Sequence, residues 1–184
     1  MTWVELEDEP GPRYLAGLDR LPLTELRARR ETCVELEMEL SYVRRLAQAR
    51  IDLIVAESER RHLGLASPSP DALVEQLPHI LGDRGRERGP GRLPSLLAPS
   101  SGARSSLAER VEAVLPADRL GTLNETEPGE LTSVLDQLSA LEKDISANRR
   151  KLHDVIDRLQ EELVRRYRTG EATVDALLAE QPSQ

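Results

Sequence analysis

Two stretches without a single proline or glycine, residues 24–63 and 130–169, most restrict what this chain can fold into. In the first, Leu26, Cys33, Leu36, Leu40, Val43, Ala47, Ile51 and Ile54 recur at helical spacing with one local stutter. Thr24 stands where a helix cap is expected. Arg60, Arg61 and His62 followed by Gly64 form a helix stop signal. At about 1.5 Å per residue this helix would run roughly 60 Å. In the second, Leu131, Val134, Leu135, Leu138, Leu141, Ile145, Leu152, Ile156, Leu159 and Leu163 lie at the same period. Pro128 suits its start, and Arg165, Arg166 and Arg168 before Gly170 repeat the stop signal.

Composition supports long helices meeting along narrow seams. The chain of 184 residues has no Phe, and Trp3, Tyr14, Tyr42 and Tyr167 are its only aromatics. Large rings supply much of a compact core. Here Leu, Val, Ile and Ala face 32% charged residues. The net charge of −8 opposes direct DNA or RNA binding, which needs a basic footprint. All basic residues except Lys143 and Lys151 are Arg, whose planar fork suits phosphate and guanine edges; a GC-rich genome accounts for most of that bias. Cys33 is the single cysteine, so no internal disulfide or Cys-cluster metal site is expected, and His62, His79 and His153 are widely separated. No apolar run approaches membrane-spanning length, and the acidic start is unlike a secretory signal, so a cytoplasmic location is expected.

Between the long runs the character changes. Residues 64–102 hold six of the twelve prolines and six of the eleven glycines. The expected organisation is an acidic tail and short helical turn (1–23), a first long helix (24–63) and a Pro/Gly-rich flexible linker (64–127). A second long helix (128–169) and a C-terminal short helix and tail (170–184) follow. Short helices are expected around Tyr14, Leu15, Leu18 and Leu21, at 71–81, at 107–115 before Pro116, and at 171–180. Arg84, Arg86, Arg88 and Arg92 are read as linker solubilisers.

The two long runs also match each other at a fixed offset of 105 residues without a gap. Leu36 corresponds to Leu141, Glu37 to Glu142, Ser41 to Ser146, Arg44 to Arg149 and Arg45 to Arg150. The match continues through Ile51 and Ile156, Asp52 and Asp157, Glu57 and Glu162, Arg60 and Arg165, and Arg61 and Arg166. A shared heptad explains the Leu and Ile pairs, not the Ser, Arg and Asp pairs. The polar positions are Glu37, Ser41, Arg44, Gln48 and Asp52, then Glu142, Ser146, Arg149, His153 and Asp157, both at i, i+4, i+7, i+11 and i+15. They fall within about 80° of one another on a helix, a stripe roughly 22 Å long. In the first helix each follows a seam residue by one place, after Leu36, Leu40, Val43, Ala47 and Ile51, so the stripe flanks the seam.

The stripe chemistry fits guanine. An Arg fork matches the O6/N7 edge, a carboxylate accepts from N1–H and the exocyclic amine, and Ser and Gln complete bonds to base or phosphate. Arg44, Arg45 and Arg50, with Arg149, Arg150 and Lys151, can offset two phosphates. An antiparallel pairing would set the motifs at one level about a pseudo-twofold, matching the symmetry of cyclic di-GMP. Spacing alone also allows a parallel pairing, because the linker is long enough to return the chain.

The pattern E-x3-S-x2-R-x3-Q-x3-D, once per helix, resembles the RsiG family, actinobacterial anti-sigma factors of the sporulation sigma factor WhiG. The resemblance covers both helices and their linker; His153 replaces Gln in the second copy. It implies an all-α fold, two long helices in an intramolecular antiparallel coiled coil. It also implies a cyclic di-GMP dimer bound by the paired motifs. The loaded protein would then sequester a WhiG-type sigma factor and repress late sporulation genes. No metal, no catalytic residue, no direct DNA contact and no membrane are expected.

A charged stripe beside a seam is usually a solvated face with intrahelical pairs; the duplicated polar pattern argues against that here. Cys33 reads as a small seam residue and His62 as a helix-end charge. The competing function is a ligand-independent coiled-coil adaptor. An enzyme is disfavoured because no metal cluster, nucleophile–base pair or Gly-rich phosphate loop is present in the sequence.

Overall fold

The computed structural model describes residues 15–66, 74, 75, 77, 80 and 106–170. Three α-helices are defined there: α1 (Leu23–His62), α2 (Ser106–Val114) and α3 (Pro128–Thr169). Segments of 3-10 helix, Leu18–Arg20 and Ala117–Glu125, precede α1 and α3. No strand occurs among the described residues. The fold is all-α, and the two long helices pack against each other. Of the short helix expected at 71–81, the described residues 74, 75, 77 and 80 are helical. The acidic tail at 1–12, most of the linker and the helix at 171–180 lie outside the described residues.

The helix ends follow from local chemistry. Leu26 N–H donates to the Pro22 carbonyl at 3.0 Å, so α1 begins at Leu23 and Thr24 lies inside its first turn, not at the cap. Gly64 ends α1 in the left-handed region at φ 64°. Leu65 N–H reaches back to the Arg60 carbonyl (3.1 Å) and Gly64 N–H to that of Arg61 (3.0 Å). That pair of bonds satisfies carbonyls the helix itself leaves open. Pro128, which has no N–H to waste, opens α3.

The chain divides into two compact units. The first comprises Met1–Glu37 and Ala147–Gln184. Its core is Leu26, Cys33 and Leu36 of α1 against Leu152, Val155, Ile156, Leu159 and Leu163 of α3, all buried. Arg27 hydrogen-bonds the Tyr167 hydroxyl with its guanidinium carbon 5.9 Å from the ring centroid, and Glu37 meets Arg149. Advance along α1 is therefore retreat along α3, an antiparallel pairing. Asn148 is buried as well, where the first repeat has Val43.

The second unit is Met38–Ser146. Leu40, Val43, Ala47 and Ile54 of α1 and Leu131, Leu138, Leu141 and Ile145 of α3 are buried, and Gln48 meets Glu142 in the same antiparallel sense. Val134 and Leu135 are half-buried. Helix α2 adds Leu107 and Val111 to this core, and Leu115 just beyond its end is buried too. Ile51, expected in the seam, is only half-buried, whereas Arg50 is 3% exposed. The stutter between Ala47 and Ile54 offers two positions, and α2 decides between them. Its Glu112 forms an ion pair with Arg50 and also accepts the Ala117 N–H at 2.7 Å. Each Leu or Ile fully buried in these seams contributes about 1.5–3 kcal/mol of transfer free energy.

Candidate functional site

Seven of the ten stripe residues fall into two clusters, one in each unit. In the second unit, Glu142 Oε1 is the common acceptor. Gln48 Nε2 donates to it at 3.0 Å, Ser146 Oγ at 2.8 Å, and Arg44 Nη1 stands 3.6 Å away. In the first unit, Glu37 Oε1 takes the same part. Arg149 Nε donates to it at 2.9 Å, and His153 Nε2 lies 3.3 Å from it. The offset of 105 maps one cluster on the other: Glu37 on Glu142, Arg44 on Arg149, Gln48 on His153.

Burial repeats too. Glu37, Ser41, Arg44 and Gln48 are half-buried, as are Glu142, Ser146, Arg149 and His153, whereas Asp52 and Asp157 are exposed. Half-buried charge beside an apolar seam follows from the one-place lag of the stripe behind the buried positions. At 20% side-chain exposure for Glu142 and 17% for Glu37, the carboxylates are screened less than surface ions, so these contacts outweigh ordinary surface pairs. Arg45 Nε, one place beyond Arg44, donates to the Ser41 carbonyl at 3.1 Å.

One relation was invisible in the motif itself. Each Glu pairs with the Arg and the Gln or His of the other copy. Periodicity says which residues share a face; only the helix register says which face they meet.

The C-terminal Glu-x2-Arg-Arg matches also acquire a part. Glu57 binds Arg60 and Arg61, and Arg61 Nη2 reaches the Leu123 carbonyl at 2.8 Å. Glu162 binds Arg165 and Arg166, and Arg166 reaches the carbonyls of Leu18 and Leu21. Leu18 and Leu123 are themselves 105 apart, so the repeat extends into the 3-10 segments. Burial pushes the Glu57 carboxyl up, but hydrogen bonds from Arg60 and Arg61 prevail and hold it below the usual range. The hydrogen bond from Arg165, aided by Arg166, lowers Glu162 to about 2 against a smaller opposing effect of burial. Burial raises the Cys33 thiol to about 11, which suits packing and not reactivity. Among the described residues no group of His, Cys, Asp and Glu could hold a metal, and no described helix is long and apolar enough to cross a membrane.

Two long helices packed along one seam, with duplicated polar clusters beside it, make a coiled-coil protein. The RsiG-like family model matches residues 12–81 and 117–181, and the chain belongs to that family. This is a family of regulatory anti-sigma factors and not of enzymes, so its members' partner is a sigma factor. Helix α2 falls between the two matched segments. No curated protein matches the chain in sequence.

Proposed function

We propose that this protein is a cyclic di-GMP-responsive, cytoplasmic anti-sigma factor that sequesters a WhiG-type sigma factor. In this reading Glu37, Ser41, Arg44, Gln48, Asp52, Glu142, Ser146, Arg149, His153 and Asp157 make up the ligand-binding set. The observation that carries it is the recurrence of one half-buried cluster of carboxylate, guanidinium and amide or imidazole groups at an offset of 105. Such a set supplies a fork for the guanine O6/N7 edge, acceptors for N1–H and the amine, and positive charge for phosphates.

Isothermal titration calorimetry tests it, with cyclic di-GMP as ligand and cyclic di-AMP and GTP as controls. Micromolar or tighter binding selective for cyclic di-GMP, lost in Arg44→Ala/Arg149→Ala, is the expected outcome. Co-purification with the sigma factor only when the ligand is present would complete it. The ligand-independent adaptor reading draws on one observation, that the stripe side chains already bind one another. Silence in the titration with the sigma factor both absent and present would favour it.

A further inference from the structure

Resting on the cyclic di-GMP reading, we infer that Glu37 and Glu142 are positioning residues that act in trans. Each carboxylate aims the Arg and the Gln or His of the opposite motif and is not itself a reader of the guanine.

Three observations lead there. Glu142 Oε1 already takes Gln48 at 3.0 Å and Ser146 at 2.8 Å, with Arg44 at 3.6 Å, so this oxygen is committed to side chains of the site. Glu37 Oε1 repeats the arrangement with Arg149 at 2.9 Å and His153 at 3.3 Å. The partner changes from amide to imidazole between copies, yet the carboxylate keeps its place. Within one motif, moreover, Glu and Arg are seven residues apart, about 10 Å along the helix axis. Glu142 therefore stands beside Arg44 of α1 and well away from Arg149 of its own motif.

The physics favours this role. A long Arg side chain immobilised by a ligand loses rotamer freedom, a cost that a preset partner avoids. A carboxylate set against a ligand with two phosphates is repulsive unless its charge is already met. Glu37 and Glu142 meet theirs on the Arg residues. In this reading the guanine N1–H and amine edge falls to the exposed carboxylates of the stripes, Asp52 and Asp157.

The test is a pair of double-mutant cycles on the full-length protein. Cyclic di-GMP affinity is measured by calorimetry for Glu142→Gln alone, in an Arg44→Lys background and in an Arg149→Lys background, with circular dichroism confirming retained helix. Glu142→Gln is expected to weaken binding about tenfold, the scale of one charge-assisted hydrogen bond. It should cost clearly less than tenfold beside Arg44→Lys, where only the Gln48 contact is left to lose, and the whole tenfold again beside Arg149→Lys. A helix-packing role alone would not distinguish the two backgrounds. An unchanged affinity in Glu142→Gln, full additivity in both backgrounds, or coupling to Arg149 in place of Arg44 would overturn the inference. Absence of ligand binding by the unaltered protein would sink the ligand reading instead. The trans wiring is then decided by thermal unfolding of the same variants: non-additive Tm changes for Glu142 with Arg44 uphold it, and additive changes overturn it.

Discussion

Arg61 donates from Nη2 to the Leu123 carbonyl at 2.8 Å, and Arg166 does the same for Leu18. The last turn of each long helix thus ties down the 3-10 segment that precedes the other. The helix ends need such ties, because a terminus otherwise leaves backbone groups unsatisfied.

Arg61→Ala should destabilise the protein by about 1.5–3 kcal/mol, the range for a hydrogen bond to a charged group. Arg166→Ala should cost more, because Arg166 is buried and reaches two carbonyls. Urea unfolding followed by circular dichroism reads both. A smaller loss for Arg166→Ala would contradict the assignment.

Acid should loosen the same ties. Glu57 and Glu162 titrate below their ordinary value of 4.5 in the folded protein. They hold fewer protons folded than unfolded across that interval, so their contribution is present above pH 4.5 and fades as pH falls toward 2. Tm measured against pH should drop through this window, and Glu162→Gln should flatten the drop.

Arg50 and Glu112 should respond asymmetrically. Arg50 is 3% exposed, and its Nε and Nη1 have no hydrogen-bond partner, whereas the Glu112 side chain is 43% exposed. Glu112→Ala strands a buried charge and should cost about 3–5 kcal/mol. Arg50→Met removes that charge and should be neutral or stabilising, by up to about 3 kcal/mol. Chemical denaturation of the two variants separates these outcomes by sign.

Cys33 should behave as a core residue. With its thiol buried and raised to about 11, labelling by a thiol reagent at neutral pH should wait for unfolding. Mass spectrometry should find it unmodified in native buffer and fully modified in denaturant. Rapid native labelling would show that the first unit opens locally.

The long helices were legible because their signals are local: unbroken runs, a 3.6-residue period, basic last turns and glycine after them. The departures all involve a polar group whose fate a neighbour decides. Asn148 is polar and breaks the apolar pattern of the second run, yet it is buried where the first repeat has Val43. Arg50 displaced Ile51 because Glu112, 62 residues away, meets it. The stripes were visible as faces, but the crossing of each Glu to the other copy depends on register, which one helix cannot report. Leu18 and Leu123 match only as leucines, and what they share is a backbone carbonyl, which no side-chain pattern encodes.

The crossed pairing has a genetic consequence. Where repeats fold and act independently, a fault in one copy is confined to it. Here a fault at Glu142 is felt at Arg44 and Gln48, in the opposite copy. Suppressors of a Glu142 lesion should therefore map to α1, and suppressors of a Glu37 lesion to α3, so that each half carries the remedy for its twin.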